Sequence, residues 1–243
     1  MARLKIDGHE FECITDPFRA WVLDHALGSF AEDLLAKFPE ANDDWYVYGN
    51  QFEIKRATDN IHLIPPPLVD TLLLMNSHVF VETLEKLTGI KGIISDPWFR
   101  GGGLHQIYKG GKLDIHADFN WHGHLKLDRR LNVLLYLNKD WKPEYGGELE
   151  LWAPDMSRCV RKIEPKFNRL VIFETTDNAY HGHPNPWTSD TPRRSLAWYF
   201  YTNGRPEHEK NPAHSTLFKK RPDEETSDEI EAFREKRNKG RVV

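Results

Sequence analysis

The sequence predicts a mainly β fold of antiparallel strands with helices near the N-terminus. Apolar residues recur with a helical period in the first third of the 243-residue chain, and with a period of two from about residue 100. In the second part, short runs rich in β-branched and aromatic residues alternate with Gly, Pro, Asn and Asp. Short strands in one unbroken block are typical of a sandwich or barrel.

Three helices are predicted before residue 90. Residues 15–17 provide an N-cap followed by proline at the first helical position, which indicates a helix over 17–27. Apolar residues recur every four positions over 30–38 and indicate a second, short helix. A longer helix is predicted from the three prolines at 65–67 to Gly89. The apolar stripes of these helices are most simply core-facing.

The second half of the chain is predicted to form six strands and a charged tail. The strands cover residues 105–108, 113–119, 131–137, 148–152, 168–173 and 195–201. After residue 205 the chain carries nine Lys/Arg and nine Asp/Glu. We therefore expect one domain over 1–205, with its β core at about 100–204. Residues 206–243 are expected to form an exposed, charged C-terminal tail that can be helical.

Composition excludes several classes of function. The net charge is −4 and the sequence pI is near 6.3, so no overall basic surface attracts nucleic acid or an anionic membrane. The two cysteines, Cys13 and Cys159, are too few for a disulfide framework or a thiolate metal site. There is no apolar run of a membrane span's length and no signal-peptide core, so a cytoplasmic protein is expected. The sequence does not indicate an oligomeric state.

The predicted strand over 113–119 has an ionisable face. Strand alternation places Asp114, His116 and Asp118 on one side of the strand. The remaining residues of the strand lie on the other side, and all of them are apolar. An imidazole and a carboxylate two residues apart on one strand face can bind the same metal ion. This motif alone is weak evidence, because an exposed strand also has a polar face.

Two further histidines, His181 and His183, follow the buried strand over 168–173. His181 comes 65 residues after His116, which leaves room for intervening strands to bring the two together. Two histidines and one carboxylate form the facial arrangement of non-haem Fe(II) oxygenases, which leaves coordination positions open.

The last predicted strand begins with a possible carboxylate-binding pair. Alternation places Arg193 and Ser195 on one face, opposite the apolar residues of the strand. A guanidinium and a neighbouring hydroxyl can bind a carboxylate through several hydrogen bonds. A structural ion pair is the alternative role for Arg193. Arg194 is out of phase and is expected at the surface.

The order and spacing of four stretches over residues 100–204 are more specific than any single motif. The stretches are Tyr-Lys-Gly-Gly at 108–111 before the His-x-Asp strand, 134–149 with its Gly-Gly-Glu-Leu end, 163–173 before the distal histidine, and the Arg-x-Ser strand ending in Trp-Tyr-Phe-Tyr. With these motifs the chain resembles the iron(II)/2-oxoglutarate-dependent dioxygenases, and most closely their prolyl 4-hydroxylase-like branch. The resemblance implies a double-stranded β-helix (jelly roll) with the N-terminal helices packed on one sheet.

The resemblance also implies the ligands of the metal and the cosubstrate. The iron ligands are expected to be His116, Asp118 and His181, with His183 as the rival of His181. The residues expected to bind 2-oxoglutarate are Arg193 at its distal carboxylate, Ser195, Tyr136 and Tyr108. From the residues alone, Tyr136 is equally well explained as a core aromatic.

The implied function is hydroxylation of an unactivated C–H bond by a dioxygenase, with oxidative decarboxylation of 2-oxoglutarate to succinate and CO₂. The expected substrate is a prolyl residue in a peptide or protein, and the expected cofactors are Fe(II), 2-oxoglutarate and O₂, with ascorbate as a stimulant. Candidate substrate contacts after the Asp ligand and in the later loop are Asn120, Trp121, His122 and Trp187. The alternatives are a hydroxylase of a free amino acid or other small metabolite, a hydrolytic zinc enzyme, and a metal-binding barrel without oxygenase activity.

Overall fold

Antiparallel pairing connects the strands of this chain in a computed structural model that describes residues 2–240. The strands are β1 (Ala2–Ile6), β2 (His9–Ile14), β3 (Ala20–Leu23), β4 (Tyr46–Gly49), β5 (Glu53–Thr58), β6 (Ile94–Ser95), β7 (Gly103–Ile107), β8 (Lys112–Ala117), β9 (Trp121–His122), β10 (Leu127–Tyr136), β11 (Leu149–Trp152), β12 (Cys159–Ile163), β13 (Arg169–Glu174), β14 (His181–His183), β15 (Arg193–Thr202) and β16 (Leu217–Phe218). The helices are α1 (Phe30–Ala36), α2 (Pro66–Met75), α3 (His78–Thr88) and α4 (Asp228–Asn238), with 3₁₀ turns at Ile61–Leu63, Pro143–Tyr145 and Glu207–Glu209.

The strands form two connected layers. Pairing runs in the order β1-β2-β3-β13-β10-β15-β7-β5-β8-β14-β11-β12. The long strands β10 and β15 pair from Asp128 and Thr202 at one end to Tyr136 and Ser195 at the other. Side chains of β10, β13 and β15 line the same cavity as side chains of β8, β11 and β14. Strands from both halves of the pairing order therefore enclose one interior space.

Alternation along β10 separates the helix-facing core from the cavity. Leu131, Val133 and Leu135 are fully buried in the largest apolar cluster. Asn132 and Tyr136, which are out of phase with them, line the cavity. The period of two predicted for this strand therefore determines which side chains reach the site.

The N-terminal helices cover one face of the β10–β15 layer. Leu72 of α2 and Leu84 of α3 are fully buried in the cluster that also contains Leu196 and Trp198. The indole Nε1 of Trp198 donates a hydrogen bond to the carbonyl of Leu72 at 3.1 Å. These contacts confirm that helices pack on one sheet. No helix within residues 2–240 is long and apolar enough to cross a membrane.

Two helix predictions differ from the structure. The predicted helix over 17–27 is wrong, because Ala20–Leu23 is a strand between β2 and β13. All four of its residues are buried, so both of its faces have partners and the local capping signal is overridden. The predicted helix after 65–67 is two helices, with a break at Asn76 and Ser77. There the side chain of Asn76 donates to the carbonyl of Asp96 at 2.6 Å.

The C-terminal segment packs on the β core, which corrects the expectation of an exposed tail. Strand β16 pairs with the strand that carries His116. The Phe218 ring is buried and stacks on the Phe52 ring, with the ring centroids 5.1 Å apart. Phe233 of α4 also packs on the Phe52 ring, with the centroids 5.5 Å apart. The expected helix in this region is present as α4, whose N-cap Ser227 accepts a hydrogen bond from the amide of Ile230. The charged composition of the segment concealed this aromatic contact.

Candidate active site

Three predicted metal ligands meet in the cavity between the two layers. His116 and His181 lie opposite each other on paired strands, and Asp118 follows directly after β8. Their ligand atoms all lie within 4.8 Å of one another, and all three side chains are buried. Within residues 2–240 no other group of three such side chains is this close. Buried imidazole and carboxylate groups at this spacing suit a divalent metal ion.

The two histidines are oriented by backbone carbonyl groups. Nδ1 of His116 is 2.8 Å from the carbonyl oxygen of Asp114, and Nδ1 of His181 is 2.8 Å from that of Ala179. Because a carbonyl oxygen only accepts, each Nδ1 carries a proton, which leaves Nε2 as the ring atom that can bind a metal ion. Both Nε2 atoms approach Asp118, at 3.5 and 3.3 Å. The rings therefore present the tautomer that a metal ion needs.

The Asp118 carboxylate is held by two residues of β10. The side-chain amide of Asn132 donates to Oδ2 at 2.6 Å, and Arg129 Nη2 is 3.2 Å from the same oxygen. Burial alone would raise the pKa of the Asp118 carboxyl, but the Arg129 guanidinium and the two histidines hold that pKa well below its usual range. The carboxylate is therefore ionised and fixed in direction, as a metal ligand must be.

Arg193 is a buried cation without a carboxylate partner. Its Nε donates to the carbonyl of Gly147 at 3.0 Å, and its guanidinium carbon is 4.9 Å from the centre of the Tyr136 ring. No carboxylate of residues 2–240 lies within 4.0 Å of this guanidinium, although the side chain is buried. Burial lowers the pKa of Arg193, yet an arginine stays charged at neutral pH. An uncompensated buried charge is costly, so the site is suited to an anionic ligand.

Ser195 and Tyr136 complete this end of the cavity. Both line the cavity with Arg193, as the alternation of β15 and β10 predicts. The Tyr136 hydroxyl is buried and has no hydrogen-bond partner among the described residues. A buried phenol normally has a partner, so this hydroxyl is available to a ligand oxygen.

His183 and His105 also line the cavity. Burial, followed by the positive charges of Arg193 and Lys55, lowers the pKa of His183 well below its usual value. Burial and the charge of Lys55 lower the pKa of His105 to about 3. His183 does not belong to the group of three close ligand atoms, which come from His116, Asp118 and His181. The structure therefore groups His181, and not its rival His183, with the other two predicted ligands.

Tyr108, whose role in cosubstrate binding stays a prediction, has other partners in this structure. Its side chain does not line the cavity. Instead its hydroxyl lies 3.1 Å from a carboxylate oxygen of Glu40 and 3.1 Å from the side-chain oxygen of Gln106, and it donates its one proton to this pair of acceptors. His105 and Ile107 of β7 line the cavity, so Tyr108, just after the strand, points away from the metal site.

The four predicted substrate contacts occupy different environments. Asn120 and Trp187 are buried and bonded internally, Asn120 to the carbonyl of Pro212 and Trp187 to that of Thr191. Trp121 is half-buried beside β10 and lines neither the inner cavity nor the groove outside it. These three contacts give no support to a role at the entrance, and that role stays a prediction. His122 lines the outer groove.

The outer groove opens from the metal cavity toward solvent. The inner cavity measures about 210 Å³ and the groove about 930 Å³. Residues that line both spaces are Tyr48, Gly101, Phe119, Thr216 and Arg237. Trp98, with 54% of its surface exposed, lies in the groove wall.

Several cavity residues were not found from the sequence. Asn132 was hidden inside a strand that reads as core, although its phase on β10 matches that of Tyr136. Arg129 precedes the predicted strand, and it lines the cavity on the far side of a register shift between Arg129 and Leu131 that the sequence does not reveal. Lys55 lies on β5, a strand that was not predicted, because the charged sequence Glu-Ile-Lys-Arg reads as solvent-exposed. The two-residue spacing of Glu53 and Lys55, which places both side chains on one face of a strand, was the signal that the sequence offered.

Part of the chain is similar to a known family and to a curated protein. Residues 102–201 match the model of the 2OG-Fe(II) oxygenase superfamily. The chain is 31% identical over 77 residues to the prolyl 3-hydroxylase OGFOD1 of Mus musculus. That match covers 30% of this chain and 14% of the mouse protein, so the chain spans a small part of this relative.

Solved structures share the fold. A prolyl-4-hydroxylase from Pseudomonas putida aligns with a TM-score of 0.54 at 17% identity, covering 76% of this chain and 93% of that one. A prolyl hydroxylase from Trichoplax adhaerens, in complex with a peptide fragment of the hypoxia inducible factor oxygen degradation domain, aligns with a TM-score of 0.51 at 18% identity, covering 75% and 83%. The solved structures confirm the predicted jelly-roll class, and the match of residues 102–201 to the 2OG-Fe(II) oxygenase superfamily agrees with the predicted dioxygenase family.

Proposed function

We propose that this chain is an Fe(II)- and 2-oxoglutarate-dependent dioxygenase that hydroxylates a prolyl residue in a peptide or protein. One observation supports this function above the others. The buried, unpaired guanidinium of Arg193 lines the same cavity as the His116, Asp118 and His181 ligand atoms. A hydrolytic zinc site needs the three ligands but gives no reason for the cation.

The residues divide the work between the two ends of the cavity. His116, Asp118 and His181 hold Fe(II), which together with 2-oxoglutarate and O₂ supplies oxidation of a C–H bond coupled to release of succinate and CO₂. Arg193 holds the distal carboxylate of 2-oxoglutarate. We assign hydrogen bonds from Ser195 and Tyr136 to the same carboxylate, because both side chains line the cavity beside Arg193. These hydrogen bonds fix the orientation of 2-oxoglutarate.

Apolar side chains keep bulk water from this space. Leu134, Leu149 and Phe173 line the cavity, and the Phe173 ring lies 4.6 Å from that of His181. Exclusion of water strengthens every charge interaction in the site and protects reactive species from side reactions.

The choice of a prolyl substrate depends on the relatives and on the groove. The mouse relative is named a prolyl 3-hydroxylase, and the solved structure from Trichoplax adhaerens holds a peptide fragment. The groove of about 930 Å³ outside the metal cavity is open and partly aromatic, which suits an extended chain segment.

The test is reconstitution with Fe(II) and 2-oxoglutarate without oxygen, followed by addition of oxygen and measurement of succinate. Prolyl peptides and free amino acids are supplied in separate arms, and hydroxylated product is followed by mass spectrometry. We expect prolyl peptides to give the added 16 Da of one oxygen. If only free amino acids increase succinate formation, the substrate is a small metabolite and not a peptide.

A matched pair of arginine variants tests the anchor. Arg193→Met should reduce succinate formation at least about 100-fold, because a buried charged hydrogen-bond pair is lost. Arg194→Met is the control, since Arg194 is the neighbouring residue and pairs with the exposed Glu40. Succinate release that is unaffected by Arg193→Met would refute the anchor assignment.

A further inference from the structure

The loop between β6 and β7, residues 96–102, presents two side chains to the outer groove. Trp98 and Arg100 both line the groove, and Phe99 between them is buried in the largest apolar cluster. Trp98 is exposed and Arg100 is half-buried. The Phe99 ring therefore attaches the loop to the core, while its two neighbours face the space outside the metal cavity.

Hydrogen bonds fix the backbone of this loop. The Asp96 carboxylate accepts from the amides of Trp98 and Arg100 at 2.9 and 2.8 Å. The Asp59 carboxylate accepts from the amide of Gly101 at 3.1 Å. A loop that is ordered before it binds a ligand loses less conformational entropy on binding, so the side chains that this loop presents are suited to recognition.

The loop leads directly to the mouth of the metal cavity. Gly101 lines both the groove and the cavity. Its carbonyl accepts a hydrogen bond at 2.9 Å from the hydroxyl of Tyr199, which lines the cavity. Consecutive Cα atoms are about 3.8 Å apart, so Arg100 begins one such step from this mouth. A chain that extends from the cavity into the groove therefore comes within reach of Arg100.

The Arg100 guanidinium has no acidic partner in the part of the chain that the structure describes. No carboxylate oxygen of residues 2–240 lies within 4.0 Å of it. The carboxylate of Asp59, which also lines the groove, is bonded to the loop backbone. The other arginine of the groove, Arg237, pairs with Glu53 at 2.6 Å. Arg100 is therefore the groove cation that remains available to an anionic group.

A carboxylate matches this position in geometry and in charge. A guanidinium binds a carboxylate through two parallel hydrogen bonds. One available guanidinium balances one negative charge, whereas a phosphorylated side chain carries close to two. An Asp or Glu side chain of the substrate is thus the anionic group that fits Arg100.

We propose that Arg100 selects substrates that carry Asp or Glu within about three residues of the hydroxylated residue, and that it binds this carboxylate in the groove. Three residues of extended chain span about 10 Å, which is a distance that an arginine next to the cavity mouth can serve. The inference rests on the proposed function, because it takes the substrate to be a segment of a peptide or protein. It narrows that substrate to an acidic segment.

The test is hydroxylation of a peptide pool that has one fixed proline and randomised flanking residues. Sequencing of the hydroxylated products by mass spectrometry reports the preference at each position. For wild type we expect Asp or Glu to be enriched about tenfold over Asn or Gln at one position, because a charged hydrogen bond is gained there. Arg100→Gln should remove this enrichment, and Arg100→Glu should replace it with enrichment of Lys and Arg.

A binding experiment measures the same preference without turnover. The preferred peptide, and a version in which the neutral amide replaces the acid, are titrated into protein that holds Mn(II) and 2-oxoglutarate, in the absence of O₂. The two peptides should differ about tenfold in Kd for wild type and should bind equally to Arg100→Gln. This double-mutant cycle isolates the contact between the two charged groups.

Matched variants control for net charge and for folding. Arg158→Gln makes the same change in charge at an exposed arginine that lines neither the groove nor the cavity, and it should keep the wild-type preference. Arg100→Lys should keep part of the preference, and it serves as the second variant if Arg100→Gln does not fold.

The outcomes separate the two proposals. Hydroxylation of the pool without acidic enrichment in wild type would overturn the Arg100 assignment and leave the proposed function in place. Acidic enrichment that persists in Arg100→Gln would have the same consequence. A pool in which no peptide is hydroxylated would contradict the proposed function itself, and the Arg100 assignment with it.

Discussion

At the scale of single residues, His105 shows how the charged cavity affects its neighbours. The Nε2 atom is 3.1 Å from the carbonyl oxygen of Gly101, and the ring lines the cavity. Burial and the nearby Lys55 ammonium lower the pKa of His105 to about 3. The folded protein therefore keeps this histidine neutral at pH values where an unfolded chain, with a pKa of about 6.5, is protonated.

Stability is expected to fall in mild acid because of this histidine. Since the folded pKa lies below the unfolded one, the contribution is complete above about pH 6.5 and is lost as the pH falls toward 3. By pH 5 the loss from His105 amounts to about 2 kcal/mol. Urea unfolding of His105→Gln at pH 7.5 and pH 5 should show a smaller decrease than wild type.

The control for that experiment is His208→Gln, whose side chain is 81% exposed. It should show the wild-type decrease in the free energy of unfolding. An unchanged pH dependence in His105→Gln would contradict the assigned burial of His105.

At the scale of elements, the strands of the β core were predictable and their partners were not. Alternation on β10 and β15 identified Tyr136, Arg193 and Ser195 as cavity residues, because a strand with partners on both sides has two fixed faces. The same rule failed on β8, where Asp114 bonds Lys112 and does not line the cavity. The pairing of β8 with β14 is irregular there, and a local sequence pattern does not contain this information.

The N-terminal strands and the C-terminal segment were missed for a related reason. Ala20–Leu23 has a helix-start signal before it, yet its hydrogen bonds go to distant β13. Residues after 206 have a composition typical of solvated chain, yet Phe218 is buried against Phe52. Tertiary contacts outweigh local preference in both cases. The boundary near residue 205 between domain and tail stays a prediction.

Phe218 tests the importance of the C-terminal segment. Phe218→Ala should lower the free energy of unfolding by roughly 3–4 kcal/mol, because a buried ring leaves a cavity in contact with Phe52. Chemical denaturation at pH 7.5 measures the change. Phe30→Ala, at a position that is 42% exposed, should cost much less, and an equal cost in both variants would mean that the segment does not pack as described.

At the scale of the whole molecule, the metal and the cosubstrate should add to the stability of the fold. A ligand that binds only the folded state stabilises it by about 2.7 kcal/mol at 100 times its Kd. For a chain of this size, that corresponds to a Tm increase of about 5–10 °C. Differential scanning fluorimetry with Mn(II), with and without 2-oxoglutarate, measures it.

Histidine variants identify the ligand in this experiment. His181→Ala should abolish the increase in Tm with Mn(II), whereas His183→Ala should retain it. The opposite result would make His183, and not His181, the metal ligand. If the Tm of wild type does not increase, the protein is a barrel that binds neither the metal nor 2-oxoglutarate.

The cavity is assembled from segments far apart in the chain. The ligands His116, Asp118 and His181 come from the matched residues 102–201, but Lys55 comes from β5 and Arg237 from α4. The metal ligands and part of the cavity wall thus come from different segments of the chain. Substitutions in the flanking segments can retune what enters the active site while the metal centre is inherited unchanged, so two proteins with the same ligand triad can diverge in what they accept.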